Sequence, residues 1–147
     1  MRYLLAAINA KYIHSNLGIY SLRRYAMERL GLEQKDEQGA AVGMSGAVKV
    51  PTEKETVGTK MASGAAEIQI DFGEYTINHQ MDQILQDIYR RKPDVVGFSC
   101  YIWNIVYVKE LIHDLKKVLP QVRIWLGGPE ASYDAVHLMD ELPEVEL

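Results

Sequence analysis

Three short stretches gather the residues that could do chemistry: NAKYIHSN at 9–16, SCYIWN at 99–104 and GGPEAS at 127–132. They supply Asn9, Tyr12, His14, Ser99, Tyr101, Trp103, the pair Gly127 and Gly128, Pro129 and Glu130, with Tyr133 just beyond. Hydroxyls, an amide and aromatic rings beside small residues suit a large, flat, partly apolar ligand whose polar edge meets hydroxyls and backbone. Glycines let such a ligand lie against the chain, because a side chain would occupy its space. A plainer reading stays open, in which the glycines make a tight strand-to-helix turn and the aromatics belong to the core.

The usual tenants of such loops fail on their own requirements. A dinucleotide site needs GxGxxG after the first strand, and INAKYIHSNLG stands there instead. No GxxxxGK followed by Ser or Thr exists to cradle phosphates. A Mg²⁺-binding receiver site needs carboxylates where Asn9 and Ser99 end their strands. Cys100 is the only cysteine, so this chain holds no cysteine-ligated iron–sulfur cluster, zinc ribbon or internal disulfide.

At 147 residues the chain has the size of one domain with a real core. No apolar run approaches the roughly 18 residues of a membrane span, and the start lacks a signal-peptide cleavage pattern. A net charge of -4 with mixed signs makes nucleic acid a poor partner. The single cysteine points to a reducing compartment, so the expected location is cytoplasmic, without a membrane.

Those three stretches must be positioned by the elements around them. Residues 3–8 read as a buried strand, and 16–30 as a helix that Ser15 or Asn16 could cap and Gly31 would end. EIQIDF at 67–72 alternates like a strand nearer an edge, and Ile77, Met81, Ile84, Leu85 and Ile88 trace a helical face closed before Pro93. VVGFSCY at 95–101 reads as the most buried strand, followed by a helical stripe from Ile105 to Leu119. VRIWLGG is the next strand, 130–141 is expected to be one helix, and the closing VEL begins a further strand. Residues 33–65, rich in Gly, Ala, Lys, Glu and Thr without a sustained period, read as a flexible insertion, with a hairpin around 48–57 left open.

Regular strand–helix alternation predicts an α/β fold: a flavodoxin-like, Rossmann-like, doubly wound parallel sheet in three layers, order 2-1-3-4-5, its last strand truncated. In such sheets ligands bind beyond the carboxyl ends of the strands at the switch point, where the three chemical loops converge. His79, His113 and His137 fall on expected helices as surface or packing residues, and Cys100 reads as a small buried hydrophobe.

INAKYIHSNLGIYSLRRYA, EYTINHQMDQILQDIYRRKPDVVGFSCYIWN and VRIWLGGPEASYD resemble the N-terminal cobalamin-binding domain of B12-dependent radical SAM proteins. That family includes methyltransferases and the anaerobic Mg-protoporphyrin IX monomethyl ester oxidative cyclase type. The likeness spans most of the chain except the insertion, and rests on the SNLG entry to the first helix, the serine ending the third strand and the GGPE turn together. It implies that Ser99 and Tyr101 line the buried nucleotide tail of cobalamin. It also implies that Gly127 and Gly128 let that tail lie against the backbone, with Pro129 and Glu130 continuing the loop. Loss of both glycines is then expected to cost binding before folding.

One departure is informative. Domains that ligate cobalt with a histidine carry DxHxxG after the first strand, and no histidine here has that frame; His14 is nearest, with Tyr12 before it and Gly18 one residue late. The resemblance therefore implies cobalamin held base-off without a protein histidine. It further implies a downstream barrel of the same protein, with a CxxxCxxC-held 4Fe-4S cluster and S-adenosylmethionine, for methyl transfer or radical oxidation. The 147 residues are expected to be an N-terminal portion that catalyses nothing alone. The alternative is a flavodoxin-like protein-interaction module without bound cofactor.

Overall fold

The computed structural model describes residues 1–11, 15–32 and 68–146. The elements run β1 (Arg2–Asn9), α1 (Leu17–Arg29), β2 (Gln69–Thr76), α2 (Met81–Arg91), β3 (Val95–Ser99), α3 (Ile105–Val118), β4 (Arg123–Gly127), α4 (Pro129–Tyr133) and α5 (Ala135–Glu141). The four strands form one parallel sheet in the order β2-β1-β3-β4. Beyond β4, Val145 makes a single parallel bridge to Ile124, and Glu146 N–H donates to Ile124 O at 2.8 Å. The expected fifth strand is thus represented by one bridge on the expected side.

The sheet buries its two faces unequally. On one, Leu4, Ala6, Ile8, Val96, Phe98, Ile124 and Leu126 meet Ile84 and Ile88 of α2 and the α3 stripe Val108, Leu111, Ile112 and Leu115; Leu138 of α5 belongs to the same core. Burial of each large aliphatic side chain in that stripe contributes about 1.5–3 kcal/mol. On the other face, α1 lays Ile19 and Met27 over Leu5, Ala7 and Ile70. It meets the β2 edge through Tyr20, whose ring centroid lies 4.8 Å from that of Phe72, and through Arg23, stacked over the same ring at 5.3 Å. On this α1 side β4 exposes Arg123, Trp125 and Gly127, while its intervening Ile124 and Leu126 are buried.

Helix ends follow local chemistry. Asn16 caps α1 by accepting from Gly18 N–H at 3.0 Å, and Gly31 takes φ +64 just past its end. Lys92 enters the left-handed region at φ 48 between α2 and the buried Pro93.

Several boundaries differ from the sequence expectation; the strand expected over 95–101, for one, ends at Ser99. β2 runs on to Thr76 because β1 pairs with it as far as Asn9, and the ladder outweighs the helical spacing of Ile77, which lies exposed outside α2. His79 accordingly sits in the turn before α2, where its Nδ1 accepts from Thr76 N–H at 2.9 Å. The helix expected over 130–141 is two helices, because Asp134 leaves helical geometry at φ -139 and its carboxylate caps α5 by accepting from His137 N–H at 3.3 Å. The expected insertion at 33–65 lies outside the described residues, as do Tyr12 and His14.

Candidate functional site

Parallel register sets small residues side by side on the α1 face at the carboxyl ends of the strands. Ala7 pairs with Ser99, and Ser99 with Gly127; one step toward the amino ends, Leu5 pairs with Gly97 and Gly97 with Trp125. Ala7 is buried beneath α1, so Gly97, Ser99 and Gly127 form the accessible floor, roughly 5 Å by 7 Å at ordinary strand spacings. Trp125 and Tyr3, with ring centroids 5.7 Å apart, bound it toward the amino ends. The start of α1, with Asn16 and Gly18, stands beside it. The result is a trough over β3 and β4 beside α1, next to the β1/β3 switch point.

The two glycines have different jobs. A Cβ built on Gly127 meets nothing within 4 Å, so no part of the described chain demands a glycine there. Gly128 takes φ +97, and a Cβ would lie 2.6 Å from the Cys100 carbonyl oxygen. Its backbone is wedged where Cys100 N–H donates to Gly127 O at 2.7 Å and Glu130 N–H donates to Cys100 O at 3.2 Å. The expectation that both glycines serve binding before folding is therefore corrected. Gly128 is required by the turn, and open space belongs to Gly127 alone.

A polar frame borders the trough. Asn16 Nδ2 donates to Ser99 Oγ at 2.9 Å. Glu74, near the end of β2, accepts from Asn16 N–H at 2.9 Å and from the Tyr20 hydroxyl at 2.7 Å, with a long contact to Asn9 Nδ2 at 3.4 Å. Asn104, 1% exposed, ties the strand ends together: its Nδ2 donates to both Ile8 O and Ser99 O at 2.9 Å, and its Oδ1 accepts from Tyr101 N–H at 2.8 Å. With these three backbone groups satisfied, β1 and β3 are held at fixed spacing where Ser99 leaves the sheet.

The sequence candidates separate accordingly. Ser99 and Gly127 come together on the trough floor, and Asn9 faces Glu74 instead. Tyr101 and Trp103 stack on each other, centroids 4.5 Å apart and planes 8° from parallel, on the loop between β3 and α3. Pro129 opens α4, Glu130 joins the Cys100 turn through its backbone, and Tyr133 points to solvent at 91% exposure. Cys100 faces the opposite core, fully buried; burial pushes its thiol up to about 12, which makes it a poor nucleophile. Sequence reasoning missed Asn104, Glu74 and Gly97. Gly97, a glycine inside a strand, was the readable signal of close approach.

Among the described residues no group of three or more His, Cys, Asp and Glu could hold a metal ion, and no helix is long and apolar enough to cross a membrane. His113 and His137 are exposed on α3 and α5, and His79 is engaged with Thr76. A parallel α/β domain with a small-residue trough next to its switch point is a ligand-binding class of fold. The family is more specific: residues 45–146, more than half of the chain, match the model of the B12 binding domain, and the chain belongs to that family. No curated protein matches the chain.

Proposed function

We propose that this cobalamin-binding domain serves a radical SAM enzyme, holding the corrinoid base-off, its nucleotide tail in the trough, with no protein histidine on cobalt. The observation that carries the placement is that, among the described residues, nothing lies over Gly127, which is in register with Ser99. A glycine with neither positive φ nor a crowded Cβ position leaves room for a ligand to lie against the backbone. Gly97 and Ser99 would form the rest of that contact, with the Tyr101–Trp103 stack at the rim.

Bound cobalamin supplies cobalt chemistry for alkyl transfer or one-electron steps. The residues of this chain bind and orient: Ser99 offers a hydroxyl, Asn104 fixes the strand ends, and the small floor excludes water once filled. The reacting groups, S-adenosylmethionine and a 4Fe-4S cluster, belong in this reading to a partner barrel of the same protein.

Incubation with hydroxocobalamin, desalting and a visible spectrum test the binding. Retained corrinoid is expected near one equivalent, and reduction to the Co(II) form should give an electron paramagnetic resonance spectrum free of nitrogen splitting from an axial base. Splitting from a histidine nitrogen would refute the base-off, histidine-free arrangement, and a folded protein that retains no corrinoid would refute the reading as a whole.

A further inference from the structure

Asn16 lies outside residues 45–146, so the family match gives it no role. Its side chain is used at both ends, since Oδ1 accepts from Gly18 N–H at 3.0 Å and Nδ2 donates to Ser99 Oγ at 2.9 Å. The cap fixes which end is which, because turning the amide over would set an NH₂ against the Gly18 N–H. Glu74 fixes the backbone beneath by accepting Asn16 N–H, and Tyr20 braces the other carboxylate oxygen. Ser99 Oγ therefore receives a hydrogen bond from Asn16, and among the described residues its own hydroxyl hydrogen goes to no partner.

We infer that Asn16 is a positioning residue that sets Ser99 as a hydrogen-bond donor toward the trough, selecting a ligand group that presents an unprotonated acceptor. Two acceptors on a cobalamin nucleotide tail have that chemistry, a benzimidazole ring nitrogen released from cobalt and a phosphate oxygen. The inference rests on the cobalamin reading above. It adds a positioning residue outside the matched segment: Asn16 sets the direction in which the Ser99 hydroxyl donates.

The test measures binding of hydroxocobalamin, cobinamide phosphate and dicyanocobinamide to the wild type, Asn16→Asp, Asn16→Ser, Ser99→Ala and the Asn16→Asp/Ser99→Ala pair, with thermal midpoints for each. Asp and Ser both keep the cap, so midpoints should stay within a few degrees of wild type. The carboxylate introduced by Asn16→Asp would draw the Ser99 hydrogen to itself, and hydroxocobalamin affinity should fall roughly tenfold, as in Ser99→Ala. Asn16→Ser, which adds no charge and is too short to reach Ser99, should lose less, about threefold. The pair should be no weaker than Ser99→Ala alone, since both changes remove one interaction. Dicyanocobinamide should bind all five proteins alike. A loss shared by cobinamide phosphate assigns the acceptor to the phosphate, and a loss confined to hydroxocobalamin assigns it to the ring nitrogen; either supports the inference. Unchanged hydroxocobalamin affinity in Asn16→Asp and Ser99→Ala would overturn it, as would equal losses for dicyanocobinamide, while leaving the cobalamin reading intact. A wild type that binds none of the three corrinoids overturns that reading, and the inference with it.

Discussion

Ser99 and Gly127 stand side by side in register on β3 and β4, one offering a hydroxyl and the other an open Cβ position. The neighbouring glycine is conformationally strained for any other residue, and its Cβ position is filled by the Cys100 carbonyl. Two adjacent glycines thus differ: the fold constrains Gly128, and among the described residues nothing constrains Gly127, which the proposed function assigns to the ligand. Their substitutions should divide along that line.

Gly127→Val should leave the urea midpoint close to wild type, because valine is well suited to a strand and none of the described residues crowds its Cβ. Gly128→Val should lose at least about 2 kcal/mol of stability, from the strain of positive φ and the contact with Cys100 O. Urea unfolding of the two variants side by side checks the contrast. Equal destabilisation would mean that the open position at Gly127 is wrongly assigned.

Asn104→Ala should cost roughly 2–4 kcal/mol, since three backbone groups at the ends of β1 and β3 lose their partner in a buried place. Asn104→Asp should not restore it, because the oxygen replacing Nδ2 would face the Ile8 and Ser99 carbonyls. Chemical denaturation measures both. A small loss in Asn104→Ala would show that water satisfies these groups.

Cys100 links burial to pH. Its thiol, ordinarily ionising at 9.0, is pushed up to about 12 by desolvation, with the Gly127 backbone hydrogen bond opposing and Glu130 adding to the rise. The unfolded thiol loses its proton first, so the unfolded state binds fewer protons between pH 9 and 12, and stability falls as pH rises through that window. Below pH 9 the contribution is fully present. Iodoacetamide at about pH 8 should therefore label the folded protein far more slowly than the urea-unfolded protein. Because the buried Tyr75 hydroxyl is also shifted upward, by burial and by the carboxylate of Asp87, the alkaline loss should shrink but not vanish in Cys100→Ala. A loss identical in wild type and Cys100→Ala would remove the thiol from the account.

The layers and strand order were legible because apolar runs and helical stripes alternate without interruption: Ile105, Val108, Leu111, Ile112 and Leu115 form a face that only a helix presents to a core. Boundaries were less so. Ile77 fits the α2 spacing, yet the pairing of Asn9 with Thr76 carries β2 right up to it. Asp134 suits either a helix surface or a cap, and only its neighbours decide. Of the site, Ser99 and the glycines could be read from turn composition. The different duties of Gly127 and Gly128 could not, since they depend on a Cys100 carbonyl from another part of the chain. Asn16 was readable as a cap, but its second bond crosses 83 residues of sequence to Ser99.

A corrinoid tail lying in the trough over Gly127 is the centre of the functional reading. The measurement that meets it most directly is calorimetric titration of wild type and Gly127→Val with hydroxocobalamin and with dicyanocobinamide, which lacks the tail. Wild type should favour hydroxocobalamin by at least about tenfold, or about 1.4 kcal/mol, and Gly127→Val should bind both ligands with the weaker affinity. Equal affinity of wild type for the two ligands, or a preference that survives in Gly127→Val, would contradict the account.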